Sequence, residues 1–343
     1  MGKVYTVRVG MVSRQIDRRT SAVALSLLLV LLVVVFLSLS LGEVVLSPAQ
    51  VMSALLGKAD SGVHFIVNDL RLPRALLALL VGGALAISGL ILQSIVRNPL
   101  ASPDILGITS GASAAAVFFL SFLATAISQR WLPLAAMGGA WVTAIAIYLL
   151  AWKQGASPLR LVLVGVGLSA IMGAAVTMML VFSPIGTTLT AYVWLTGSIY
   201  GAQWQHVSEL AGWLLLGAPF LVGLARHVNV HELDDALACG VGQSVGRIRL
   251  ALLTLSVALA GAAIAYAGAM AFVGLLAPHI AKKLASRSFP GLALVSALTG
   301  GLLVMVADLI GRTAFLPLDL PAGIFISVLG TPFFIYLLLR QRY

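Results

Sequence analysis

Cysteine, charge and a phosphate-binding loop are what this chain lacks. Its single cysteine, Cys239, excludes an intramolecular disulfide and any cysteine-based metal centre, and reads as a small buried or loop residue. Charged side chains make up only 9% of the 343 residues, with 11 acidic groups in all, where soluble domains carry roughly 25%. No Gly-x-x-x-x-Gly-Lys-Ser/Thr occurs, and Gly57-Lys58 stands without the rest of that cradle, so any ATP-driven step requires another subunit. Nor is there the cluster of His, Asp, Glu or Ser that an enzyme needs. The nearest approach is His227 and His231, four residues apart and followed by Glu232, which we read as a solvated helix end with no metal. No cofactor and no catalytic residue are expected.

What is present is apolar surface, far more than one soluble core can bury. Hydrophobic residues make up 60% of the chain. They fall in runs of about 20 residues, the length of helix that covers a hydrocarbon core of roughly 30 Å. The runs are continuous Leu, Val, Ala, Ile and Gly without the alternation of lipid-facing strands, so helices are expected and a barrel is not. We place ten spans at residues 21–42, 72–96, 104–126, 132–152, 159–182, 206–226, 247–266, 271–285, 290–311 and 321–340. Residues 186–204, with Trp194, Gly197, Tyr200, Gly201 and Trp204, read as interfacial or re-entrant, because Trp and Tyr favour the headgroup level. Residues 1–20 form a basic cytoplasmic segment ahead of an uncleaved first span, and 21–343 form one all-α transmembrane domain.

The net charge of +10 would point to nucleic acid in a soluble protein, yet the basic residues sit in short clusters with no stripe and no interleaved aromatics. Membrane topology accounts for them. With both termini cytoplasmic, sixteen of the 21 basic residues lie inside, and only Lys58, Arg71, Arg74, Arg130 and Arg312 lie outside. Ionisable groups in the spans are few: Asp104 at a span start, Glu209 near an outer end, and Asp308, which an i,i+4 pair with Arg312 would satisfy. That scarcity argues against a proton- or sodium-driven secondary transporter and for a pathway moved by an external motor. Gly82, Gly83, Gly89, Gly165, Gly167, Gly173, Gly300 and Gly301 read as points of close helix packing. Asn98-Pro99-Leu100-Ala101-Ser102-Pro103 forbids a continuous helix after the second span. Arg71-Leu72-Pro73-Arg74 places two positive charges at the outer mouth of the second span and Arg312 a third at the ninth. We read them as a docking site for an acidic partner rather than as lipid anchors, and expect charge reversal at Arg71 and Arg74 to weaken docking without disturbing expression.

These residues also carry a resemblance. Arg71-Leu72-Pro73-Arg74, Asn98 to Gly107, Phe272-Val273-Gly274-Leu275-Leu276-Ala277-Pro278-His279, Ala307-Asp308 and Leu320-Pro321-Ala322-Gly323, in that order, resemble the iron-siderophore and cobalamin permeases of bacterial type II ABC importers. Asn98, Pro99, Pro103, Gly107, Pro278 and His279 are the structural positions of that pattern. The resemblance implies a dimer of ten-helix permeases, homomeric or heteromeric, in the bacterial cytoplasmic membrane, above two cytoplasmic ATPase subunits. A periplasmic or lipid-anchored binding protein would meet Arg71, Arg74 and Arg312. The loop at 227–246, with Asp235, Leu237, Ala238, Cys239, Gly240, Val241 and Gly242, would seat in the ATPase, and Gly155, Pro158 and Leu159 would lie near a cytoplasmic gate. The wording around Arg71 to Gly107 and of Val193 to Ser198 looks closer to ferric citrate and ferric siderophore permeases than to the cobalamin ones and implies transport of a ferric siderophore, with cobalamin and haem as the alternatives.

Overall fold

The computed structural model describes residues 4–9, 12–151, 158–231, 235–285 and 288–340. A short antiparallel hairpin, β1 (Val4–Val9) and β2 (Val12–Asp17), pairs Val4 with Asp17 and precedes the helices, an addition to the all-α expectation. Asp17 then caps α1 (Arg18–Ser40), its carboxylate accepting from Arg19 N. There follow α2 (Pro48–Leu55), α3 (Ser61–His64), a π-helical stretch at Phe65–Arg71, and α4 (Leu72–Val96). The remaining helices are α5 (Ile108–Phe118), α6 (Leu132–Ala151), α7 (Pro158–Val181), α8 (Ile185–Thr196), α9 (Trp204–His231), α10 (Asp235–Gly240), α11 (Val245–Ala267), α12 (Val273–Leu284), α13 (Phe289–Thr313) and α14 (Ala322–Arg340).

Eight described helices are long and apolar enough to cross a bilayer. The expected third and eighth spans are shorter. The third does not start at residue 104: the chain from 98 to 107 is irregular, and helix begins at Ile108 and ends through a π turn at Leu123. Helix α12 has 12 residues, about 18 Å at 1.5 Å per residue, too short to span alone. The second span, in turn, is longer than expected. Helix runs without interruption from Ser61 to Val96, so Arg71 and Arg74 lie within it rather than at its mouth. Pro73, which has no N–H to give, falls where the π-helical stretch passes into α4. Residues 186–204 form no extra span; α8 is a 12-residue helix.

Burial separates the core from the rim. In α4 and α11, 72% of the apolar window is buried, against 11% in α7 and α9. Lipid tails offer no hydrophobic drive between helices, so contact depends on close approach and internal hydrogen bonds. A Cβ on Gly89 would lie 1.8 Å from the Gly274 carbonyl oxygen of α12, and one on Gly82 2.1 Å from the Gly300 oxygen of α13. On its other side α4 bonds α11 reciprocally: Ser88 Oγ donates to Ser256 O at 2.9 Å and Ser256 Oγ to Ser88 O at 3.1 Å. Gly167 and Gly173 depart from the packing expectation, since nothing lies within 4 Å of a Cβ at either.

Gly89→Ala should cost about 1–3 kcal/mol by overpacking backbone on backbone. A lower thermal midpoint of the purified protein in detergent, followed by tryptophan fluorescence, checks it. Gly167→Ala is expected to leave that midpoint unchanged.

Candidate functional sites at the two membrane faces

A helix ends with orphan carbonyls, and a membrane helix must satisfy them without water. At the outer end of α1, two arginines from distant elements do so. Arg71 Nη1 donates to Leu39 O at 2.7 Å and Ser40 O at 3.0 Å, and its Nη2 reaches Val44 O. Arg312 Nη1 donates to Leu41 O at 3.0 Å, while its Nη2 reaches both Ser38 O and Ser38 Oγ. Both arginines are 8% exposed, so neither is a lipid anchor. Their charge also suits the negative end of the helix dipole. Gly42 permits the approach, since a Cβ there would meet Arg71 Nη2 at 2.7 Å.

Arg74 is held differently. Its Nε and Nη2 donate to Asp308 at 2.8–3.0 Å, and its Nη1 and Nη2 to the more exposed Asp319. The expected Asp308–Arg312 pair is a secondary contact at 3.6 Å, because the Arg312 guanidinium is taken up by α1. Tyr200 lies with its ring 5.9 Å from Arg74 Cζ. An open cavity of about 430 Å³ brings all three arginines together with Glu43, Tyr200 and Asp319. The expectation that reversal at Arg71 would spare expression is therefore corrected: a carboxylate there would face the carbonyls of α1. Asp319 was missed in the sequence, where a lone acid in an outer loop gives no signal of its partner.

At the cytoplasmic end the short helix α10 is tied by its first residue. Asp235 accepts from Arg249 Nη2 at 3.0 Å and from Arg97 Nη2. Burial works against ionising this carboxyl, but Arg249 and Arg97 outweigh burial and hold it below the usual carboxylate range. The link therefore stays ionised at neutral pH. Arg97 is the left-handed C-cap of α4, with φ 53°, so Asp235 joins α10 to α4 and to the start of α11. Arg97 and Arg249 drew no notice in the sequence beyond their inside location. Ala238 is buried, whereas Leu237 and Val241 are 62% and 68% exposed. Cys239, Gly240 and Gly242 are exposed too, and nothing lies within 4 Å of a Cβ at either glycine. His227 lies near the end of α9, its carbonyl accepting from Gln243 Nε2 at 3.1 Å.

Between the faces, two stretches of irregular backbone meet. Asn98 Oδ1 accepts from Leu100 N at 2.9 Å, turning the chain into Pro99, and Pro103 packs where a Cβ on Gly274 would meet its Cδ at 2.9 Å. Asp104 accepts from Thr109 Oγ1 at 2.7 Å and from Phe272 N at 3.1 Å. It thus caps the buried start of α12, where Phe272 has φ 64°. Gly107, at φ +81°, lies against Gly165 O. Pro278 is buried within α12, and His279 stands edge-on to Phe333 at 5.4 Å between ring centres. Of the expected gate, Gly155 lies outside the described residues, Pro158 opens α7, and Leu159 is exposed.

Arg312→Ala would strip donors from Leu41 and Ser38, at about 1–3 kcal/mol for each buried acceptor left unmade. The expected result is a lower thermal midpoint, with a smaller drop for Arg312→Lys, which keeps the charge but fewer donors.

The FecCD transport family model matches residues 30–340. The chain is 63% identical over 344 residues to the achromobactin transport system permease protein CbrC of Dickeya dadantii (strain 3937), covering 100% of this chain and 98% of that relative. It is 39% identical over 320 residues to the iron(3+)-hydroxamate import system permease protein FhuG of Bacillus subtilis (strain 168), covering 92% and 95%. Among solved structures, one described as an inward-facing conformation of a metal-chelate type ABC transporter superposes with a TM-score of 0.83 at 27% identity, over 93% of this chain and 99% of the other. The family match, the end-to-end similarity and the superposition agree, and the chain belongs to the FecCD transport family as a multi-pass permease subunit of an ABC importer.

Proposed function

We propose that this chain forms half of the pathway by which a ferric siderophore crosses the bacterial cytoplasmic membrane. The similarity along the whole length of an achromobactin permease carries the substrate class and makes ferric achromobactin the first ligand to try. A single transmembrane domain of residues 21–343 is the unit. Membership of an ABC transport system implies an ATPase and a binding protein as partners; our finer reading is two ATPases, a second permease, identical or related, and a periplasmic or lipid-anchored binding protein. The rim helices α7 and α14, 11% and 28% buried, would face the second permease around a central path. Open Gly167 and Gly173 on α7 support this, as small residues suit a lumen or a close partner.

The ATPase contact would be α10. Leu237 on α10 and Val241 just past its end are exposed among the described residues, and Asp235 ties α10 to the well-buried α4 and α11. A push on α10 is thereby delivered to the core rather than lost in a slack loop. Gly155, ahead of α7, and Pro158 and Leu159 at its start remain our reading for the inner gate.

At the outer face, docking would run through Arg74. Arg71 and Arg312 hold α1 and contribute field to the cavity, whereas Arg74 shares its guanidinium with Asp319, which is 27% exposed. An incoming carboxylate would take the place of Asp319, the more exposed of the two acids that hold Arg74.

Reconstitution with partner permease, ATPase and binding protein in proteoliposomes tests the function. Uptake of radiolabelled ferric achromobactin requiring both ATP and the binding protein is expected, and uptake by this chain alone on an ion gradient would overturn the reading. Asp235→Asn should lower ATP-driven uptake severalfold while membrane insertion is retained, read as uptake per assembled complex. Asp319→Asn should tighten binding-protein capture by about three- to tenfold, and Arg74→Glu should weaken it, both measured by surface plasmon resonance on nanodiscs.

A further inference from the structure

Of the five basic residues on the outer side, three are committed to the cavity at the end of α1. Arg130 is not. It sits on the short 3-10 turn Gln129–Trp131 that leads into α6, exposed, and its guanidinium makes no hydrogen bond or ion pair with any described residue. It lines a cleft of about 410 Å³, within the roughly 300–1,000 Å³ of a small-molecule site. One wall is Arg130, Pro133 and Leu134; the other is α9, with Glu209 and Trp213. Both α6 and α9 pack on α11, whose penultimate residue Tyr266 floors the cleft.

The walls carry opposite charges that are not spent on each other. Glu209 Oε1 accepts from Gln205 Nε2 at 2.8 Å and Oε2 from Tyr266 OH at 2.9 Å. Both donors are neutral, so among the described residues the carboxylate meets no cation, and each oxygen keeps a lone pair. Two hydrogen bonds orient it while leaving its charge uncompensated. Deeper in, the lining turns apolar with Leu134, Leu216 and Trp213, and Gly212 leaves open space where a side chain would stand. Trp131, on the turn that carries Arg130, is 56% exposed, as suits an indole at the headgroup region.

We propose that this cleft binds an outer-leaflet phospholipid with a primary-amine headgroup, phosphatidylethanolamine. Arg130 takes the phosphate through its fork of N–H donors, and Glu209 takes the ammonium. The first methylenes of the chains lie on Leu134, Leu216 and Trp213. A choline headgroup has no N–H to give Glu209, and a glycerol headgroup brings no cation to it. The cleft therefore selects for the amine and not merely for a phosphate. This assignment is independent of the transported substrate.

Native mass spectrometry of the full chain, released from micelles with an equimolar mixture of phosphatidylethanolamine, phosphatidylcholine and phosphatidylglycerol, tests it. Phosphatidylethanolamine should be retained at about fivefold or more over either competitor, about 1 kcal/mol of preference. Glu209→Gln, which keeps an acceptor for Tyr266, should erase the preference over phosphatidylcholine, and Arg130→Gln should lower retention of all three. Hydrogen–deuterium exchange on the wild-type chain should show added protection at residues 128–134 and 205–216 with phosphatidylethanolamine alone. Equal retention of the three lipids, a preference for phosphatidylglycerol, or an unchanged preference in Glu209→Gln would overturn the proposal.

Discussion

An orphan backbone group at membrane depth has no water to turn to, and this constraint governs where the few charges of the chain go. The carbonyls ending α1 are met by Arg71 and Arg312, and the amide opening α12 by Asp104. Each is an ionisable side chain spent on a broken helix. A soluble protein could leave these ends to solvent. Here the breaks and the charges come as matched sets, and the motif residues that look like a functional signature are in large part the means of ending helices inside a membrane.

That matching divides the outer arginines by duty. Arg71 and Arg312 are buried among carbonyls, while Arg74 is split between the deep Asp308 and the more exposed Asp319. Of the contacts Arg74 makes, the one to Asp319 is the more open to water. At the cytoplasmic face the logic is the same with the sign reversed. One carboxylate, Asp235, gathers Arg97 and Arg249, so a helix of six residues with little core of its own is fixed to two well-packed ones.

The helices that carry little burial are as informative as those that carry much. Through close glycine contacts and reciprocal serine bonds, α4, α11, α12 and α13 form a closely packed centre. The exposed helices α7, α9 and α14 keep most of their apolar surface outside this core, open to lipid or to other subunits.

Much of this was legible in the sequence because lipid imposes simple rules. Run length, the absence of alternation and the bias of Lys and Arg to one side determine helices, their approximate places and their orientation, and the order of Arg71, Asn98, Pro278 and Pro321 motifs points to the family. What sequence could not determine was where helices stop short and whom the charges meet. Residues 104–107 are apolar enough to pass for helix, but Asp104 is needed at Phe272, 168 positions away. Arg312 has Asp308 one turn before it, yet it turns to Ser38 and Leu41, while Asp308 turns to Arg74. Hydropathy is a sum along the chain and reads out locally. A hydrogen bond is made between particular atoms, and only the packed helices decide which ones are within 3 Å of each other.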